Sequence, residues 1–162
     1  MTAIGDRGPE FTLDDTRGES RQLTDALARG LVVLSFLKAD CGACNLAFPY
    51  LEKLRQSYPG DDWTLWGISQ NPARAAEWFA RNTGVTFPIL IDGEGLPASN
   101  AYDPPSTPTI YLLDRDRIVR ATHTGFAKTE LNKLAADLAA LLDRPTVEIA
   151  PNDDGQPSFR PG

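Results

Sequence analysis

The stretch LVVLSFLKADCGACNLAFPYLEKL, residues 31 to 54, decides how this chain reads. Its first seven residues, LVVLSFL, form a continuous apolar run with β-branched content. A strand covered on both faces, as at the centre of a parallel sheet, has this pattern. After the run, Leu46, Leu51, Leu54 and Tyr58 recur at near-helical spacing. Residues 43 to 58 therefore read as an amphipathic helix, which Pro59-Gly60 ends. Where strand hands over to helix stand the chain's only two cysteines, Cys41 and Cys44.

Cysteines so spaced can bind metal, close a disulfide or fill space. Structural zinc wants four Cys or His ligands, and beyond the cysteines the chain has one histidine, His123, far along the sequence. No metal site is expected. Cys41 falls at or just before the first helical turn and Cys44 one turn deeper, which puts both sulfurs on one side of that turn. That is within reach of a bond whose Cα atoms lie ~4.4–6.8 Å apart. The unsatisfied N–H groups and positive dipole end of the helix favour a thiolate at Cys41. Cys44, more buried, is the less reactive partner. A CxxC in this setting reads as a redox pair, with a pair of inert structural thiols as the plain alternative.

Outward from the motif, the alternation continues. The first thirty residues are polar with turn signals (GDRGPE, DDTRGES), and they suggest a small hairpin packed on the main sheet and a helical turn at Leu23 to Ala28. WTLWGIS (63–69) is the next strand. Asn71-Pro72 opens a helix that Gly84 closes. FPILID (87–92), PTIYLLD (108–114) and residues 118 to 124 read as strands, and Lys128 to Leu142 as a helix with Leu131, Leu134, Leu138 and Leu141 on one face. Trp63, Trp66 and Trp78 fall at strand and helix spacing and are expected in the core. The order predicts an α/β domain over residues 1 to 143, with a mixed sheet between helices. Residues 144 to 162, RPTVEIAPNDDGQPSFRPG, have no periodicity and are expected to form a mobile or loosely docked tail.

Composition narrows the function. Hydrophobic content of 41% and charged content of 23% suit a soluble globular protein. A net charge of -6 and a pI near 4.7 argue against nucleic acid or an anionic membrane as partner. The N-terminus has no apolar signal region, and LVVLSFL is far short of the ~20 residues that span a bilayer. As written the chain reads as cytoplasmic; trimming of a signal segment would leave the same sequence on an exported protein.

The runs VVLSFLKADCGACNLAFPYLEKL, FPILIDGEG and STPTIYLLDRDRIV together resemble a thioredoxin-fold redoxin of the TlpA/ResA type, within the AhpC/TSA-redoxin superfamily. The resemblance covers residues 7 to 142, and its most specific elements are the CxxC, Pro49 inside the helix, and Thr-Pro-Thr before a strand. It implies a thioredoxin fold with an N-terminal hairpin extension, and a thiol–disulfide oxidoreductase with no bound cofactor. In such proteins the last proline is cis beside the disulfide and helps hold substrate backbone, a role the resemblance gives to Pro108 with Thr107. The implied partners are protein disulfides or dithiols and an upstream thiol reductant, met by a monomer.

Three positions depart from the family pattern. Asp40 stands where Trp usually precedes the first cysteine. Ser35 replaces the buried Asp of thioredoxins, and Ala47 replaces the Glu of ResA-type members. Asp40 and Lys38 are therefore candidate modulators of Cys41, one opposing a thiolate and one favouring it. A peroxiredoxin needs Pro-x-x-x-Thr-x-x-Cys, and neither cysteine has it: Leu34 and Lys38 precede Cys41 at those places. A non-catalytic binding module is the other rival. The favoured reading is a reductase with Cys41 as nucleophile and Cys44 as resolving thiol.

Overall fold

The computed structural model describes residues Met1–Gly162. In chain order it runs β1 (Thr12–Asp14), β2 (Ser20–Gln22), α1 (Leu23–Arg29), β3 (Leu31–Leu37), α2 (Gly42–Ser57), β4 (Trp63–Ser69), α3 (Ala73–Thr83), β5 (Ile89–Ile91), α4 (Pro97–Tyr102), β6 (Thr109–Leu113), β7 (Val119–Thr124), β8 (Phe126–Ala127), α5 (Lys128–Leu142) and β9 (Phe159–Arg160).

The main sheet has the order β5-β4-β3-β6-β7, with β3 at its centre. Every residue of β3 is buried, as an apolar run without alternation requires when both faces are covered. β3 pairs parallel with β4 and antiparallel with β6, so the sheet is mixed. Layers of side chains close both faces. On one, Val33, Leu37 and Ile110 meet Phe48 and Leu51 of α2, Phe79 of α3, and Leu134 and Leu138 of α5. On the other, Val32, Leu34, Phe36 and Tyr111 meet Leu23 of α1, Leu13 of the β1–β2 hairpin and Tyr102 of α4. Alternate residues of β3 thus serve opposite layers, which is the period of a strand. This is the thioredoxin-type architecture with a hairpin at its N-terminal side.

Pro49 lies inside α2, with helix on both sides of it. It offers no N–H to the Asn45 carbonyl, yet Phe48, Leu51 and Leu54 beside it are fully buried, and tertiary packing holds the helix through the break. Strand β5 is shorter than the expected 87 to 92, because Pro88 has no N–H for the ladder. Trp63 and Trp66 are buried, but Trp78 is 51% exposed and does not belong to the core: it falls on the outer face of α3, away from buried Ala76 and Phe79.

Residues 144 to 162, expected to be mobile or loosely docked, lie against the domain. Ile149 and Ala150 are fully buried, and Asn132 of α5 brackets them by accepting both N–H groups and donating to the Ala150 carbonyl at 2.9 Å. The Lys128 ammonium, almost completely buried, donates to Pro151 O at 2.8 Å, Asp154 Oδ1 at 2.6 Å and Gln156 O at 3.1 Å. An unpaired buried ammonium is costly, so this stretch of the tail supplies what Lys128 needs. Beyond it, β9 pairs antiparallel with β8.

Candidate active site

β3 ends at Leu37, and the three residues that follow bend the chain into α2. Side chains pin that bend: Ala39 N donates to Asn71 Oδ1 at 2.7 Å, and Asn45 Nδ2 donates to Ala39 O at 3.2 Å and Cys41 O at 2.9 Å. Cys41 is the N-cap of α2, in extended conformation with φ -79° and ψ 116°. Its Sγ accepts the N–H of Cys44 at 3.1 Å, taking the part that a Ser or Asp oxygen plays at most helix starts. The two cysteines approach to 2.6 Å, and both are free thiols.

Across from them the Thr107–Pro108 peptide bond is cis. The Cys41 thiol donates to the Thr107 carbonyl at 3.2 Å. That loop is fixed from both sides, by Thr109 Oγ1 on Ser106 O at 2.7 Å and by Gly125 N on Pro108 O at 2.8 Å. Cys41, Cys44, Thr107 and Pro108 therefore converge, although the loop is distant from the cysteines in sequence.

The two thiols have opposite acidities. Cys41 is lowered to about 6, first because the Cys44 thiol donates to it, and then through the Thr107 side chain and the N–H groups of Cys44 and Ala43, against the opposing effect of burial. Cys44 is pushed far up, chiefly by burial and further because its proton serves Cys41. Lys38 and Asp40 both point to solvent beside the site. Lys38 contributes through its backbone: its carbonyl accepts from Cys41 N at 3.1 Å, and its backbone lowers Cys44 somewhat.

Nothing takes the place of the missing acid under the dithiol. Ser35 is fully buried and its Oγ has no hydrogen-bond partner, and Ala47 is buried and apolar. His123 Nδ1 is engaged elsewhere, 2.5 Å from Glu130 Oε2. Two contacts escaped the sequence reading altogether. The Arg160 guanidinium lies so close over Gly42 that a Cβ there would collide with it, and Gly162 lies against Ser106 and Thr107. Gly42 between the cysteines was the one visible signal of a close approach.

Residues 4–122 match the AhpC/TSA family. The chain belongs to that family. Within it, the chain is 32% identical over 124 residues to the thiol-disulfide oxidoreductase ResA of Geobacillus kaustophilus, covering 76% of this chain and 70% of that one. It is 34% identical over 125 residues to the thioredoxin-like protein YneN of Bacillus subtilis, covering 75% and 71%. In fold it is similar to a protein described as the thiol:disulfide interchange protein DsbE of Chlorobium tepidum, with a TM-score of 0.79 over 88% of this chain and 99% of that one, at 24% identity. These likenesses mark this family member as an oxidoreductase of the thioredoxin type. No helix is long and apolar enough to cross a membrane.

Proposed function

We propose that this redoxin is a reductase of protein disulfides, with Cys41 as attacking thiolate, Cys44 as resolving thiol, and Thr107 and Pro108 as the wall against which substrate backbone rests. The observation that carries this reading is the N-cap sulfur, held acidic by its own partner thiol and facing the Thr107 carbonyl. Cys41 attacks one sulfur of the partner disulfide, that S–S bond breaks, and the leaving thiolate takes a proton. Cys44 then gives up its proton and attacks the Cys41 sulfur. The mixed disulfide breaks, the second partner thiol leaves, and the Cys41–Cys44 disulfide holds the oxidation. An upstream dithiol returns two electrons and two protons to restart the cycle.

The high pKa of Cys44 suits this order. While Cys41 is a thiolate, the Cys44 proton stabilises it; once Cys41 is bonded to substrate, that reason for retaining the proton is gone. Ser35 and Ala47 offer no carboxylate to receive it, so water or the departing substrate thiolate takes it. We place this monomeric reductase in the cytoplasm, where thiols are kept reduced; trimming of a signal segment would make it an exported one.

A glutathione titration followed by intact mass tests the reading, with wild type and Cys44→Ser in parallel. Wild type should lose two hydrogens reversibly, and the variant should instead trap one glutathione at Cys41. A midpoint near that of thioredoxin, about -270 mV, supports a reductase; one near -120 mV makes it an oxidant. Absence of an internal disulfide at every ratio would falsify the assignment.

A further inference from the structure

Residues 158 to 162 take no part in the dithiol chemistry, yet they lie across it. Lys128 N donates to Ser158 O at 3.0 Å, Ala127 stands opposite Phe159, and Phe126 stands opposite Arg160. The chain then passes Gly125, where a Cβ would come within 3.2 Å of Gly162 N and 3.3 Å of Arg160 O. It reaches the cis-proline loop at Gly162, where a Cβ would come within 2.5 Å of both Ser106 Oγ and Thr107 O. That carbonyl is the one the Cys41 thiol touches. On the other side the Arg160 guanidinium covers Gly42, between the two cysteines. The segment thus runs as an extended strand along β8, Thr107 and Gly42.

Its attachment is uneven. Up to Gln156 the tail is anchored by buried Ile149 and Ala150 and by the three acceptors on Lys128. Past the turn at Gly155 (φ 79°) little apolar surface is buried: Phe159 is 64% exposed, and Arg160, Pro161 and Gly162 are exposed too. A two-residue ladder whose outer strand, β9, has only solvated side chains belongs to the low-stability end of a structure, where local opening is easy. A firm anchor followed by a weak strand is the construction of a removable cover.

We propose that residues 159–162 form a strap over the polypeptide groove of the dithiol site, and that a disulfide-bearing strand of a partner protein displaces it by pairing with β8 in its place. This rests on the oxidoreductase reading above. The backbone groups that β9 uses on β8 are those an added strand would use, and the register brings that strand past Thr107 and over Gly42. Small disulfides need no such pairing, and Cys41 is only partly buried with the strap in place. The strap therefore sets apart protein disulfides, which must evict it, from small ones, which need not.

The test compares the full chain with a variant lacking residues 159–162, which keeps Asp154 and the Lys128 anchor. With insulin as protein disulfide, kcat/KM should rise about tenfold in the shortened protein, the worth of one or two net backbone hydrogen bonds. Reduction of glutathione disulfide should be unchanged. The peptide QPSFRPG added in trans should slow the shortened protein on insulin, and Arg160→Ala should give an intermediate rate. Labelling of Cys41 by a polyethylene glycol maleimide should be faster in the shortened protein, while iodoacetamide labels both alike. Equal insulin rates, or a slower shortened protein, would sink the strap and leave the reductase reading intact. If neither form reduced any disulfide, the reductase reading would fall, and equal maleimide labelling would then dispose of the cover as well.

Discussion

The two ends of the first turn of α2 carry the same side chain in opposite conditions. At its start Cys41 caps the helix, half-exposed, collecting N–H groups and a neighbour's proton. One turn on, Cys44 is fully buried among apolar side chains and has its acidity suppressed. The difference comes from position along the helix: the cap sees unsatisfied donors, while the third helical residue has already turned into the core. A single turn of backbone is enough to separate a nucleophile from a resolving thiol.

Exchange of each cysteine tests that separation most severely. Cys41→Ser should lower kcat/KM for a protein disulfide by at least about a thousandfold. Cys44→Ser should retain the first attack and accumulate a mixed disulfide visible by mass. Identical behaviour of the two variants would erase the distinction.

The acidity itself is read by alkylation against pH. In the reduced protein, labelling of Cys41 by iodoacetamide should reach half its plateau near pH 6, with Cys44 unlabelled. Cys44→Ala removes the largest cause of that acidity and should move the midpoint up by about a unit or more. The sign of the linked stability follows. A folded-state pKa lowered from 9.0 to about 6 stabilises the reduced protein fully above the unfolded value. That contribution is lost as pH falls through 6. The Tm of the reduced protein should drop across that window by more than that of the Cys41→Ser variant; parallel curves would contradict the assignment.

Smaller effects sharpen the comparison. Ser35→Ala deletes a buried hydroxyl without a partner, so stability should be unchanged or raised by up to about 1 kcal/mol in urea unfolding. A loss of several times that would reveal a partner for the hydroxyl. Asp40→Asn should shift the Cys41 midpoint by only a few tenths of a unit, and 1 M salt should abolish the shift, because an exposed carboxylate is screened.

The sequence carried the parts of this site whose physics is local. The apolar run of β3, the helical period of α2 and the CxxC between them are short-range signals, and β4, α5 and the N-terminal hairpin were legible for the same reason. The neighbouring loop was legible only through the likeness of Ser106-Thr107-Pro108-Thr109 to a family, since pairing of β6 with β3 is a long-range event. Helix α4 escaped because six residues, PASNAY, are too short for a period; its start is held by Asp92, which accepts from Ala98 N and Ser99 N at 2.8 Å. Burial of Ile149 and Ala150 and pairing of β9 also escaped, because each depends on a partner more than ten residues away rather than on its own pattern. Trp78 misled for the converse reason: its helix spacing suggested the core, but its place on the turn of α3 put it outside.

The close fit of Arg160 over Gly42 bears on how such chains can diverge. Any side chain at position 42, between the two cysteines, must push a guanidinium aside. The displacement is cheap, because the guanidinium is the far end of an exposed, flexible side chain that can swing aside. Grafting another redoxin's dipeptide into this one would change the fit of the tail along with the chemistry of the thiols.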